Sequence, residues 1–405
     1  MTAHLPLDRL RVLELGHIIA GPSAGLILAD LGADVIKVEP PGEGDQSRGM
    51  PAGTSANFHF LNRNKRSIAV DLKRSAEARA IFLRLAGTTD VVIDNFAHGA
   101  VEAMGLGYDV LARLNPRLVY LAVKGFLPGP YEARPFLDEL AQMMGGLAYM
   151  TGPRGRPLRA GASIVDVGAA AYGVIAVLAA ICQRHETGVG QKITSGLYET
   201  TVFWVGQWLA QAAATGEPSV PMPEIRQGTR MGWGVYQLFD TSDGEQVFIG
   251  ITSNGHWERF CREFGLGELL ADPRLADNAR RVAARDWLPA RLSEETRRCT
   301  SAELQRRLDR ARVPFAPLRR PDEVLDDPHL NASGQLLATP LPGKGLAKLP
   351  KLPVRSSAYE MGLRRPAPGL GEHTREVLEE LGVTKDEIES LASARAISLG
   401  GGDRE

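Results

Sequence analysis

A chain of 405 residues, 44% hydrophobic and 23% charged, has ample material for a large buried core, which excludes a disordered protein and makes two domains the default expectation. Its 47 basic and 48 acidic residues leave a formal net charge of -1, so no global field would recruit nucleic acid or an anionic membrane, and any anion must be held by a local cluster. Three scattered cysteines, Cys182, Cys261 and Cys299, lack CxxC spacing, which speaks against a disulfide framework or a zinc site and fits a reducing, cytoplasmic setting.

The N-terminus carries Asp8 and Arg9 where a secretory signal would place its apolar run. From residue 10 to 123, short β-branched runs at 12–15, 35–38, 67–70, 91–93 and 118–121 alternate with helical patterns such as 24–31 and 76–85. That rhythm predicts a doubly wound α/β domain, a parallel sheet covered on both faces, with ligands at the carboxyl ends of the strands. Next comes the longest apolar stretch, 167–182, which falls short of the roughly 20 residues a membrane span needs and is read as a buried core helix. A strand at 191–194 and one long helix at 198–213 follow. A Pro- and Gly-rich passage at 216–234 reads as a connector to a smaller α+β domain. There, strands at 235–239 and 246–251 turn at Asp243-Gly244, and helices are expected at 257–264, 288–299 and 302–311. From Gly334 the chain loosens again, and helices at 374–381 and 385–393 are expected to return to the first domain. The expected division is 1–215 with 334–405 against 216–333.

No GxGxxG follows the first strand, and GxxxxGK[ST], HExxH and GxSxG are missing, so the chemistry is expected to run on ordinary side chains without a permanently bound cofactor or metal. Asp166 is a single carboxylate between an apolar, strand-like run and an almost uniformly apolar helix. Two roles ask for that position. One is a helix N-cap; the other is an ionised, sterically open nucleophile amid backbone donors.

Several blocks resemble one family in order and spacing. They are Leu13-Glu14-Leu15 through Ala20-Gly21-Pro22, Leu31 to Glu39 with Pro41-Gly42, Asn62 to Ile68, Asp94-Asn95-Phe96 with Gly99, Met104 to Tyr108, Asn115 to Leu118, the Asp166 segment, Thr187 to Gln191, Asp243-Gly244, and Gly371 to Thr374. Together they resemble the class III CoA-transferases of CaiB/BaiF type, which include formyl-CoA and carnitine CoA-transferases. The resemblance implies a Rossmann-like large domain, a ring-shaped chain interlocked in a homodimer, and coenzyme A or acyl-CoA as substrate.

It makes Asp166 the nucleophile, esterified in turn as an anhydride and as an aspartyl-CoA thioester. It implies CoA contacts at Ile18, Ile19, Ala20, Lys37, Val70, Lys73, Asn95, Phe96 and Lys124, and an acidic substrate-side position at Asp138. For Lys73 a solvated face, and for Asp138 a helix N-terminal charge, are the plain alternatives. Gly232, Trp233 and Gly234 are candidates for the oxyanion or substrate site, and Arg226 or Arg230 for clamping a second carboxylate of a small diacid. Two departures stand out. Glu39 is followed by Pro40 where many relatives carry Arg, and the glycine run that covers the nucleophile in formyl-CoA transferase is replaced by Met231-Gly232-Trp233-Gly234. Acyl-CoA racemases share the fold but need a histidine where this chain has Leu137; a catalytically silent CoA-binding protein would not need Asp166.

Overall fold

The computed structural model describes residues 4–49, 56–228 and 232–400. The chain divides into two compact units, one of Met1–Leu147, Arg159–Trp208 and Pro328–Glu405, the other of Ala148–Leu158 and Leu209–Asp327. The stretch 148–158 groups with the second unit, whereas the sequence expectation keeps it in the first.

The first unit is built on β1 (Arg11–Leu15), β2 (Asp34–Glu39), β3 (Lys65–Val70), β4 (Val91–Asp94), β5 (Val119–Lys124) and β6 (Lys192–Gly196). All are parallel, in the order β3-β2-β1-β4-β5-β6. This is the doubly wound dinucleotide-fold order, and the direction of winding reverses between β1 and β4. Parallel strands are covered on both faces and so read as continuous apolar runs. The two-residue alternation sorts them: Leu13, Ile36, Ile68, Val92 and Tyr120 pack on one side, Val12, Val35, Val91, Val119 and Leu121 on the other.

Helix Ala20–Asp30 and the 24-residue helix Ile164–Thr187 cover the second of those faces. The latter carries mostly small and branched residues on its inner side, and a Cβ at Gly173 would stand 2.8 Å from Leu121 Cδ1, so glycine is what lets the helix lie close on β5. By length and composition alone this helix could cross a membrane, and the buried-helix expectation holds for one face only. Its other side leaves Val167, Tyr172 and Ile175 exposed. The expected single helix at 198–213 is two, Leu197–Trp204 and Gly206–Thr215, broken where Gly206 lowers helix propensity after Val205 closes the first.

The returning C-terminal segment closes the open edge of β3. His373 N–H donates to Ser67 O, Ala69 N–H to Thr374 Oγ1, and the short terminal strand Ile397–Ser398 pairs antiparallel with Val70 and Ala69. In the second unit, Val235–Asp240, Gln246–Ile251 and Phe315–Pro317 form an antiparallel three-stranded sheet over a core that includes Phe239, Ile249, Trp257, Phe260, Leu288 and Leu304.

Candidate active site

At the switch point, the turn Gly16-His17-Ile18 leaves β1 and is fixed at every residue. Lys37 Nζ donates to Gly16 O at 2.7 Å, Asn95 both accepts from His17 N–H and donates to His17 O at 3.0 Å, and Asp45 Oδ1 accepts from Ile18 N–H at 3.1 Å. These clamps hold Ile18 at φ +64°, a left-handed conformation that a β-branched residue avoids. Glycines follow at 21 and 25: a Cβ on Gly21 would come 2.7 Å from Gly16 Cα, and one on Gly25 would collide with the Glu14 carboxylate. The spacing differs from GxGxxG, yet it meets the same need for close strand–helix approach.

Behind the turn lies a fully buried charge network. Register puts Glu14 opposite Lys37, and Lys37 Nζ sits 2.9 Å from Glu14 Oε1 and 2.8 Å from Asp45 Oδ2, while Lys65 Nζ sits 2.7 Å from Glu14 Oε2. Burial opposes the Lys37 charge, but Glu14, Asp45 and Glu39 outweigh it and raise its pKa. Lys65 shares the single Glu14 carboxylate, and burial draws it down to about 8. Burial likewise pushes Asp45 up, yet Lys37 and the Ser47 hydrogen bonds hold it well below the usual carboxylate range. Lys37 is therefore not a CoA contact, as the resemblance implied, because no part of it reaches solvent; it positions the turn.

A cavity of about 490 Å³ opens over the turn, lined among others by Ile18, Ile19, Ala20, Asn95, Phe96, Lys124, Asp138 and Asp166. The structure thus brings most of the implied residues together. Val70 and Lys73 line a second cavity of about 340 Å³ that shares His17 and Phe96 with the first. Lys124 points its charge inward, 2.5 Å from Asp94 Oδ2 and 2.7 Å from Phe96 O, so it fixes Phe96 and offers little free charge. Lys73 is exposed and has no carboxylate partner among the described residues.

Asp166 is not the helix N-cap that was one of the two roles its sequence position offered. Residues 164 and 165 are the first turn of the helix and not a strand, Ser163 occupies the N-cap, and Asp166 lies within that turn. The turn's backbone donors go elsewhere: Asp138 Oδ2 accepts from Val165 N–H at 2.8 Å and Asp166 N–H at 3.1 Å, while its Oδ1 accepts from Gln142 Nε2 at 2.6 Å. Asp138 caps the helix from another element. Asp166, half-buried and bordering the cavity, accepts no hydrogen bond on its carboxylate from the described residues, and burial together with the Asp138 charge pushes its pKa up to about 7. It is a poorly solvated carboxylate, basic for its kind and open on one side, the state in which a carboxylate is a competent nucleophile.

Gly232–Gly234 belong to the second unit. Gly234 cannot serve as an oxyanion donor as arranged, since its N–H is given to Asn278 Oδ1 and its Cα packs against Arg281. The Trp233 and Gly232 carbonyls accept from Arg285 and Asn278. Arg226 falls in helix Met222–Gly228, of which only the backbone is described at that point, and Arg230 lies outside the described residues. Two cavity residues escaped the sequence reading. His17 is pushed to a lower pKa by burial, its Nδ1 has no hydrogen-bond partner among the described residues, and its ring lies 5.3 Å from that of Phe96. The other is Arg134, at the cavity's rim. No group of three or more possible metal ligands occurs among the described residues.

Fold and cavity together define an α/β enzyme-like site in which a switch-point crevice presents an activated carboxylate. Residues 7–374 match the model of CoA-transferase family III. The chain is 35% identical to the succinyl-CoA–D-citramalate CoA-transferase of Chloroflexus aurantiacus, over 97% of this chain and 98% of that one. It is 34% identical to the succinyl-CoA:mesaconate CoA-transferase of Haloarcula hispanica, over 93% and 96%. A crystal structure of a CaiB/BaiF family protein from Brucella suis superposes with a TM-score of 0.83 at 35% identity, covering 93% of this chain and all of that one. The chain belongs to CoA-transferase family III and is an enzyme of that class.

Proposed function

We propose that this enzyme carries CoA from succinyl-CoA to a small C4–C5 dicarboxylic acid such as citramalate, mesaconate, itaconate or malate, through Asp166. The observation that carries the reading is a carboxylate of raised basicity in the switch-point cavity, bordered by residues that the family resemblance assigns to CoA. The named relatives, which pass CoA between succinyl-CoA and diacids, supply the substrate class.

The Asp166 carboxylate attacks the thioester carbonyl, the C–S bond breaks, and CoA thiolate leaves behind an acyl-aspartyl anhydride. Thiolate then attacks the aspartyl carbonyl and expels the donor acid, giving an aspartyl-CoA thioester. The acceptor carboxylate reverses both steps and restores Asp166. One thioester is exchanged for another, so the balance needs no ATP and no redox partner. The protein's task is to orient the groups and keep water from the two activated esters. The clamped turn at 16–18 and the Lys124-held Phe96 supply fixed walls for the pantetheine arm, and Lys73 supplies charge for the phosphates. Racemisation is disfavoured because Leu137, also on the cavity wall, offers no base.

The same reading includes a homodimer in the family's interlocked form, in the cytoplasm. The bare apolar face of helix Ile164–Thr187, where Tyr172 meets an exposed Phe203 edge-on, supports a second copy, and three unpaired cysteines are compatible with a reducing compartment.

The test is incubation with acyl-CoAs and free acids, reading new thioesters by mass, with quenched samples digested to find a peptide bearing CoA on Asp166. Transfer among diacids with that adduct, abolished in Asp166→Ala, is the expected result. Undiminished turnover in Asp166→Ala would refute the mechanism.

A further inference from the structure

The cavity around Asp166 has a charge problem. Asp138, Asp166 and Glu132 all line it, and a diacid brings two more negative charges to a site already short of compensation. Of the two permanent cations among the lining residues, Lys124 is consumed by Asp94. The other, Arg134, has no carboxylate within ion-pair distance among the described residues and is exposed at the rim.

Its geometry is prepared and not loose. The Arg134 guanidinium carbon lies 3.9 Å over the Tyr131 ring, and its backbone N–H closes a turn on Tyr131 O at 2.9 Å. Tyr131 in turn packs against Phe126, whose ring also meets Phe136 at 4.1 Å and Tyr198 at 5.5 Å. Gly125 permits this anchorage, since a Cβ there would stand 2.5 Å from Phe136 Cβ. Stacking engages the face of the guanidinium and leaves its N–H edges open, which is the arrangement that accepts a carboxylate bidentately.

We propose that Arg134 receives the second carboxylate of the acid being transferred and so sets the preference for dicarboxylates. The inference rests on the function proposed above and replaces Arg226 and Arg230 in the role first assigned to them. The carboxylate that reacts meets Asp166, and the distal one meets the Arg134 fork, so a monoacid of equal length lacks only the second contact.

The experiment compares glutarate with pentanoate as acceptors in wild type, Arg134→Leu and Arg134→Lys. In a double-displacement reaction the kcat/KM of the acceptor contains no donor step, so succinyl-CoA can serve throughout. Wild type should prefer glutarate. Arg134→Leu should lower the ratio of the two kcat/KM values by about 100-fold or more while pentanoate keeps its rate, and Arg134→Lys, charged but without the fork, should fall between. If both acceptors weaken alike, or the ratio stays unchanged, Arg134 does not read the second carboxylate and the inference is overturned. If wild type itself shows no preference for the diacid, the dicarboxylate reading fails before any variant is made, and this inference fails with it. Because the side chain is exposed, unchanged thermal unfolding of both variants is expected and shows that the fold is intact.

Discussion

Replacing Asp166 by Asn should make the protein more stable as well as inactive, and increasingly so as pH rises. The Asp166 carboxyl titrates near 7 in the fold against 3.8 when free, so between those values the native state keeps a proton that the unfolded chain has lost. Stability therefore falls as pH climbs from about 4 to about 7 and is flat above, because the unfolded form binds fewer protons throughout that window. A raised pKa of about three units corresponds to about 4 kcal/mol at high pH. Partial access to solvent reduces this, leaving a gain for Asp166→Asn that grows by about 2 kcal/mol between pH 5 and pH 8.5. Urea unfolding of both proteins at the two pH values measures it, with denaturation of the two units followed by separate probes. Parallel pH profiles, or a variant less stable than wild type at pH 8.5, would refute the claim that the nucleophile is held in an electrostatically unfavourable place.

Asp138→Asn retains an acceptor for the Val165 and Asp166 N–H groups but removes the charge, so the pH midpoint of single-turnover acylation should move below 7; because burial is the larger cause, the shift should be partial, about one unit or less. An unmoved midpoint would show that the two carboxyls do not sense each other. Lys37→Met strips Asp45 of its counter-ion, leaves Glu14 with Lys65 alone, and should cost about 3–5 kcal/mol in urea unfolding; a variant as stable as wild type would contradict the buried network. Lys73→Ala should raise KM for acyl-CoA about 3- to 10-fold with kcat unchanged, an effect that shrinks in about 0.5 M salt. A fall in kcat with KM untouched would place Lys73 elsewhere.

The parallel sheet was legible because strands buried on both faces are rich in apolar and β-branched residues, and in the antiparallel sheet of the second unit strand 246–251 coincides with its observed bounds. Order within the sheet is a matter of pairing, which local patterning does not carry. The motif blocks converge on one cavity but were silent on burial: Lys37 sits in the same KxE run whether it faces ligand or, as observed, the core. Ile164 and Val165 have strand propensity, yet tertiary packing on β5 and β6 makes them helix, which moved Asp166 from cap to first turn. Burial is the larger cause of its raised basicity, and Asp138, 28 residues away and on a different helix, adds to it. Such a cap in trans has no signature in spacing. His17 and Arg134 were missed for a similar reason, since a lone imidazole or guanidinium in a loop acquires meaning only from the walls around it.

The seam between β3 and the C-terminal segment joins residues about 300 apart in the chain. During synthesis, β3 leaves the ribosome long before its covering arrives, and for that interval it offers a bare backbone ladder to any neighbouring nascent chain. Folding yield in cells should therefore depend on what shields this margin while translation proceeds, and removing the last dozen residues should harm solubility far more than their few contacts with the core would suggest.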